Sequence, residues 1–299
     1  MSGCEILFCP PADLRAGIEV LHAGLSADQQ AALLATIDQL SPRTTKSFEG
    51  FLVAKKGVEL LAACWVQLLA GNSANFWPPC FQSPAARELM LAAESFLVEK
   101  RVDFAQMVIA SEVEIAVNLL ALAGFHKLVE LEYLCLDKKN FTEQVAEYRL
   151  VFEPDAPRNP MRLQNLLLET YRQTLDCPEL NGLRDIADVL QGYQQQGNYR
   201  PEQWYYAKSG STDVGVLILA EYPATGIWEL VYMGVVPGAR GNRYGAEIVG
   251  HAIRQAILHS ANKLVLAADV RNAPALAMYR SVGFEYWDRR TVYSRQVLT

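Results

Sequence analysis

The chain has 299 residues, 51% of them apolar and 20% charged, with a formal charge of −6. That balance excludes a disordered chain and argues against nucleic-acid binding through a broad basic surface. The cysteines (Cys4, Cys9, Cys64, Cys80, Cys135 and Cys177) form no C-x-x-C pair, so neither a zinc ribbon nor a redox motif is written in them. His22, His126, His251 and His259 are scattered without metal-ligand spacing. The first residues lack a basic start and a sustained apolar run, and the apolar stretch 60–70 is too short to span a bilayer. The expectation is a cytoplasmic protein with free thiols and no membrane partner, as a monomer or homodimer.

In chain order, Leu7–Phe8 reads as a strand, and a helix is expected across 28–40. A hairpin turns at Lys55-Lys56-Gly57, and Pro78 closes an apolar strand. A helix follows from Ala85 to Lys100, a helical run ends at Gly124-Phe125, and Leu131–Leu136 is a strand. The polar run Asp137–Asn140 reads as a seam. Beyond it, Tyr148–Phe152 is a strand, and Met161–Arg172 and Asp185–Tyr193 are helices. Trp204–Lys208, Gly215–Glu221 and Ile227–Val236 are successive strands. Ile248/Val249, Ala252/Ile253 and Ala256/Ile257 give the helical period over 246–258. Leu264–Ala268 is a strand, and a helix opened by Pro274 ends at Gly283. Phe284–Trp287 and Val292–Val297 suggest a closing hairpin about Asp288-Arg289-Arg290.

The two halves follow one plan. Gly124 and Gly283 lie 159 residues apart, as do Pro78 and Pro237, and the elements around them come in the same order. The side chains do not repeat: Arg240, Gly241, Arg243 and Gly245 fall on Phe81, Gln82, Pro84 and Ala86, while Tyr279 falls on Leu120 and Asn272 on Val113. A duplicated chain with one chemically active half is the expectation.

Pro237-Gly238-Ala239-Arg240-Gly241-Asn242-Arg243-Tyr244-Gly245 runs from a strand into a helix. Helix N-termini present unpaired N–H groups and the positive end of the macrodipole, and glycines let an anion approach the backbone. Arg240 and Arg243 can add charged hydrogen bonds to phosphate oxygens. The plainer reading is an ordinary turn with surface arginines. Glu229 lies in an alternating strand, which places it with Val231, Met233 and Val235 on a mostly apolar face. Desolvation there would raise its pKa towards that of a general base, or the carboxylate is simply paired with an arginine.

V-x-P-x-x-R-G-x-x-x-G after a strand resembles the acyl-CoA pyrophosphate motif of the GNAT N-acetyltransferases. Asn272 through Phe284 resembles a second block of that family, and the two together cover about 204–288. The family has Gly where this chain has Arg243. The tandem plan is similar to that of mycothiol synthase-like acetyltransferases. The resemblance implies an α/β (α+β) fold class of two tandem GNAT-like domains, a degenerate one at 1–140 and a catalytic one at 147–299. Each would be a mixed, mostly antiparallel sheet flanked by helices.

The resemblance also implies an N-acetyltransferase moving acetyl from acetyl-CoA, its co-substrate, to the primary amine of a small molecule or peptide by direct attack. A non-catalytic acyl-CoA-binding protein is the alternative. Glu229 would accept the amine proton and Tyr279 would protonate the departing thiolate; as a core aromatic, Tyr279 would do neither. The cofactor side would comprise Met233, Val235, Val236, Arg240, Gly241, Asn242, Arg243, Tyr244, Gly245 and Asn272. An N–H of Met233 or Val235 would hold the oxyanion where the strand splays over 233–236, and Asn272 also suits a helix N-cap. Cys177 reads as a half-buried thiol more readily than a nucleophile. Asp176, Glu179 and Asn181 lie in the segment that shapes the acceptor pocket of similar proteins, where they could recognise an amine.

Overall fold

The computed structural model describes residues 4–25, 48–69, 71–110, 117–142 and 149–296, with positions 30, 33, 34 and 37 besides. The helix expected across 28–40 falls largely outside them, as do Tyr148 and Val297. The chain forms two compact units, one of 1–129 with 290–299 and the other of 130–289.

The first unit contains β1 (Glu5–Phe8), α1 (Leu14–Ala23), β2 (Phe51–Lys56), β3 (Glu59–Leu69), β4 (Ser73–Trp77), α2 (Ala86–Glu99), β5 (Phe104–Ala110) and α3 (Val117–Leu122). Strands β1 to β5 pair in sequence order, antiparallel except for β4 with β5. Helix α1 gave no clear sequence signal: it is ten residues long and its N-cap Asp13 makes no capping hydrogen bond.

The second unit takes most of β6 (His126–Asp137), then β7 (Val151–Glu153), α4 (Pro160–Tyr171), α5 (Ile186–Gln194), β8 (Trp204–Ser209), β9 (Thr212–Tyr222), β10 (Ile227–Val235), α6 (Tyr244–Leu258), β11 (Lys263–Asp269) and α7 (Ala273–Ser281). Its sheet order is β6-β11-β10-β9-β8-β7, antiparallel except for β10 with β11. Alternation along β9 sends Leu217 and Leu219 to one face with Ile248, Val249 and Ile253 of α6. Val216 and Ile218 go to the other, with Leu163 and Leu167 of α4. Each such fully buried side chain contributes about 1.5–3 kcal/mol, so the sheet is anchored on both faces.

The expected hairpin about 288–290 is absent. Strand β12 runs unbroken from Glu285 to Gln296, and its residues Arg290–Gln296 pair with β5 in the first unit. Residues Leu131–Asp137 of β6 pair with β11 in the second. The expected seam at 137–140 therefore does not divide the units, because each sheet takes its last strand from the other half of the sequence. The duplication accounts for this. Strands β5 and β11 have seven residues each and start 159 apart, and β6 and β12 have twelve each with the same spacing. Ala110 pairs with Arg290 and Asp269 with Leu131, which are equivalent pairings. Equivalent strands present interchangeable edges, so local pattern cannot assign them.

His251 on α6 stacks on Phe152 at 3.9 Å and meets the Tyr205 ring edgewise at 4.7 Å. Its ring nitrogen contacts Gln255, and burial, helped by the nearby Arg254 charge, lowers its pKa to about 4. Between its ordinary value of 6.5 and 4 the unfolded chain holds a proton that the folded chain lacks. Stability should therefore fall as pH drops through that window, by up to about 1.4 kcal/mol per unit. Denaturant midpoints of His251→Gln between pH 7 and 4 should show a shallower acid decline than the parent; an equal decline assigns the acid sensitivity elsewhere.

Candidate active site

The site is built where two parallel strands part. β10 pairs with β11 only at Ile227–Lys263, Trp228–Leu264 and Glu229–Val265. Past Glu229, β10 stays with β9 while β11 stays with β6. The separation thus begins at Leu230, three residues before the expected 233–236. Val236 N–H donates to Val214 of the β9 side at 3.0 Å. Alternation then turns the N–H and C=O groups of Val235 and Met233 the other way, into the gap.

A β-bulge between Leu230 and Tyr232 sets the facing of side chains. It corrects the simple alternation of the sequence reading. Trp228, Leu230, Met233 and Val235 pack towards α6, whereas Val231 and Tyr232 pack towards α4 and α5. Glu229, one residue from both Trp228 and Leu230, shares the face of Tyr232 and not that of Met233. Gly234 has no room for a side chain: a Cβ would sit 2.6 Å from the Tyr232 hydroxyl and 2.7 Å from Thr170 Cβ.

The gap opens into a cleft of about 900 Å³. Of the residues expected around a cofactor, Met233, Val235, Arg240, Gly241, Arg243, Tyr244, Gly245 and Asn272 line it, and Tyr279 does too. Val236, Asn242 and Glu229 do not. Val236 spends its N–H in the sheet. The Asn242 side chain donates to the carbonyls of Ala239 and Arg240, and its own carbonyl accepts from Arg149 at 2.6 Å. Arg149 in turn pairs with buried Glu247 of α6, so Asn242 braces the turn from behind.

The two arginines differ from expectation. Arg240 donates to four backbone carbonyls: Val235 at 3.0 Å, Gln173 at 2.8 Å, Thr170 at 3.0 Å and Arg172 at 2.8 Å. It caps the negative end of α4 and ties it to the end of β10, leaving little for a phosphate. Arg243 is the N-cap of α6 with φ +62°, a left-handed conformation that explains why Gly suits this position. Held there at a cost of about 1 kcal/mol, it keeps the turn a glycine would make. Among the described residues its guanidinium has no carboxylate partner. Gly241, at φ +81°, has open space where a Cβ would stand. The leading N–H groups of α6 thus face a concavity that fits an anionic ligand such as a pyrophosphate.

Tyr279 is buried in α7, its ring edge-on to Phe284 at 5.9 Å. Among the described residues no group hydrogen-bonds its hydroxyl. Burial, and then the charge of Asp176, raise its pKa, so it is a neutral phenol at pH 7. Asn272 caps α7, accepting from Ala275 N–H at 3.3 Å. Glu229 is half-buried and accepts from the Tyr222 hydroxyl at 2.7 Å; desolvation raises its pKa.

Asp176 was marked in the sequence only as part of an acceptor segment, because it lies in an irregular loop far from the motifs. It lines the cleft, and its Oδ1 accepts from Asp269 N–H at 2.8 Å. Cys177 N–H returns a bond to Asp269 Oδ2 at 3.2 Å, and Arg271 joins buried Asp269 to Glu179. This network fixes the loop to the end of β11. The Cys177 thiol is half-buried, and its pKa is raised by burial and by Asp176, which leaves it a poor nucleophile.

The corresponding region of the first unit is filled. Pro78, Phe81, Gln82 and Ile109, the counterparts of Pro237, Arg240, Gly241 and Ala268, line a space of only about 20 Å³. Leu120, the counterpart of Tyr279, is 1% exposed in the core. Among the described residues no cluster of side chains suits a metal ion, and no helix is long and apolar enough to cross a membrane.

The parallel pair parts above a Gly/Arg turn with α6 starting beneath it, and residues 163–284 match the Acetyltransferase (GNAT) family. The fold likeness extends over the whole chain. A GCN5-related N-acetyltransferase from Sphaerobacter thermophilus superposes with a TM-score of 0.69 at 14% identity, covering 98% of this chain and 95% of that one. A tandem GNAT protein from the clavulanic acid biosynthesis pathway gives 0.56 at 12% identity, covering 98% of both. The glucosamine N-acetyltransferase region of a fungal multi-domain β-N-acetylglucosaminidase gives 0.64 at 13%, covering 98% of this chain and 38% of that one. No curated protein matches the sequence.

Proposed function

We propose that the second unit transfers acetyl from acetyl-CoA to a primary amine by direct attack. The observation that carries this reading is the separation of β10 from β11 after Glu229, which turns the Met233 and Val235 backbone towards the cleft that Tyr279 lines. The pyrophosphate would rest on Gly241 and the start of α6, with Arg243, not Arg240, as the cation within reach. The pantetheine arm would add to the free edge of β10, as a strand adds to a sheet. The N–H of Met233 or Val235 would hold the oxyanion as the amine attacks the thioester carbon. Tyr279 would give its proton to sulfur as the C–S bond breaks.

Calorimetric titration with acetyl-CoA, coupled to thiol release over a panel of primary amines, tests this. Binding with amine-dependent release is expected. Binding with no release for any amine leaves an acyl-CoA-binding protein, and absence of binding removes both readings.

A further inference from the structure

Glu229 and Asp176 are the two carboxylates here that no arginine pairs among the described residues, and the structure separates them. Glu229 is tied to Tyr222 and is not part of the cleft wall. Asp176 is part of it, together with Thr170, Tyr232, Met233 and Tyr279. We infer that Asp176 is the group that receives the ammonium of the acceptor and takes its proton, so that the acceptor of this cleft is a cationic amine. This rests on the acyl-transfer reading given above.

Three features support the assignment. First, Asp176 is held rigidly. Its Oδ1 is fixed by the Asp269 N–H at 2.8 Å, and Cys177 turns left-handed at φ +46° to close a reciprocal bond onto Asp269. Second, its neighbours suit a cation. The Tyr232 ring lines the same cleft and packs on Tyr171 and Tyr193 at 5.4 and 5.7 Å, so a tyrosine surface stands beside the carboxylate. Third, its field reaches the groups that would react. The Asp176 charge raises the pKa of Tyr279, Tyr232, Tyr193 and Cys177, whereas the groups coupled to Glu229 do not include Tyr279.

The two carboxylates of the adjoining network are already committed. Asp269 and Glu179 are paired with Arg271, and among the described residues Asp176 has no arginine partner. Desolvation, with a smaller push from Asp269, raises its pKa above the usual aspartate value. A raised pKa makes the carboxylate a better acceptor for the proton of a bound ammonium.

The protons balance as follows. The ammonium gives one to Asp176. The neutral amine then forms the C–N bond, and the C–S bond breaks. Sulfur takes the Tyr279 proton, and the second proton of the attacking nitrogen restores Tyr279. Asp176 releases its proton to solvent. The sum is amide, free thiol and one proton.

Saturation-transfer NMR of spermidine, cadaverine, glucosamine and lysine against the CoA-loaded protein tests the cation site independently of turnover. At least one amine should bind, and Asp176→Asn should weaken it tenfold or more, with Asp176→Glu recovering part. For a bound amine that is acetylated, kcat/KM should rise with pH through the Asp176 ionisation, and Asp176→Asn should abolish that limb while CoA affinity and the denaturation midpoint hold. Glu229→Gln is the comparator. Loss of the limb there with its retention in Asp176→Asn overturns the proposal. So does amine binding unaffected by Asp176→Asn, or binding of none of the four amines; CoA affinity, measured separately, then shows whether the acyl-transfer reading still stands.

Discussion

Tyr279→Phe lowers kcat about a hundredfold or more while the affinity for CoA stays within about twofold. The hydroxyl is buried and lines the cleft, and among the described residues it has no protein partner. Its removal therefore breaks no hydrogen bond of the fold. The ring still packs on Phe284 as phenylalanine. What is lost is a proton for the thiolate at the moment the C–S bond breaks, an interaction absent from the ground state. Such a loss appears in kcat and kcat/KM together and spares binding. Desolvation that keeps the phenol protonated raises the basicity of a thiolate in the same cleft as well, so the transfer stays feasible. Steady-state kinetics with the best acceptor, beside calorimetry with CoA, measures both quantities. Unchanged turnover would make Tyr279 a packing residue.

Asp269→Ala is expected to cost about 3–5 kcal/mol of stability. Asp269 has no solvent exposure, and its carboxylate accepts from Arg271 N–H at 2.8 Å, from the Arg271 guanidinium at 2.6 Å and from Cys177 N–H at 3.2 Å. Alanine leaves the Arg271 and Cys177 N–H groups without this acceptor and a guanidinium held only by Glu179. The loop carrying Asp176 then loses one of its two ties to β11. Arg271→Ala should cost about 3 kcal/mol, because it leaves the buried Asp269 carboxylate with only the Arg271 and Cys177 N–H donors. Urea midpoints at constant m-value measure both losses. Equal small losses in both variants would show that the network does not bear on stability.

Much of the site was legible because its signals are local. A glycine in a left-handed turn, a helix opened by Asn272 and Pro274, and apolar residues at helical spacing each leave their mark within a few residues. Glu229 was misplaced because one bulged residue, between Leu230 and Tyr232, reverses an alternation that the sequence shows unbroken. Arg240 was given to phosphate because nothing nearby in the chain reveals that Thr170, Arg172 and Gln173 end a helix beside it. Asp176 lies about ninety residues before its partner Asp269, so no spacing rule connects them.

The residues alone show a plan repeated at an interval of 159, with the Gly/Arg turn, Asn272 and Tyr279 in one copy. These follow from backbone and helix preferences that act over short range. Which strand completes which sheet, which arginine is available at the turn and which carboxylate lines the cleft depend on contacts between distant segments. Strands β6 and β12 have equal length and equivalent pairings, so only the assembled sheets distinguish them. The side chains of Arg240, Glu229 and Asp176 are directed by hydrogen bonds, a bulge and a loop clamp between distant segments, and those interactions exist only once the strands have parted and the helices have packed.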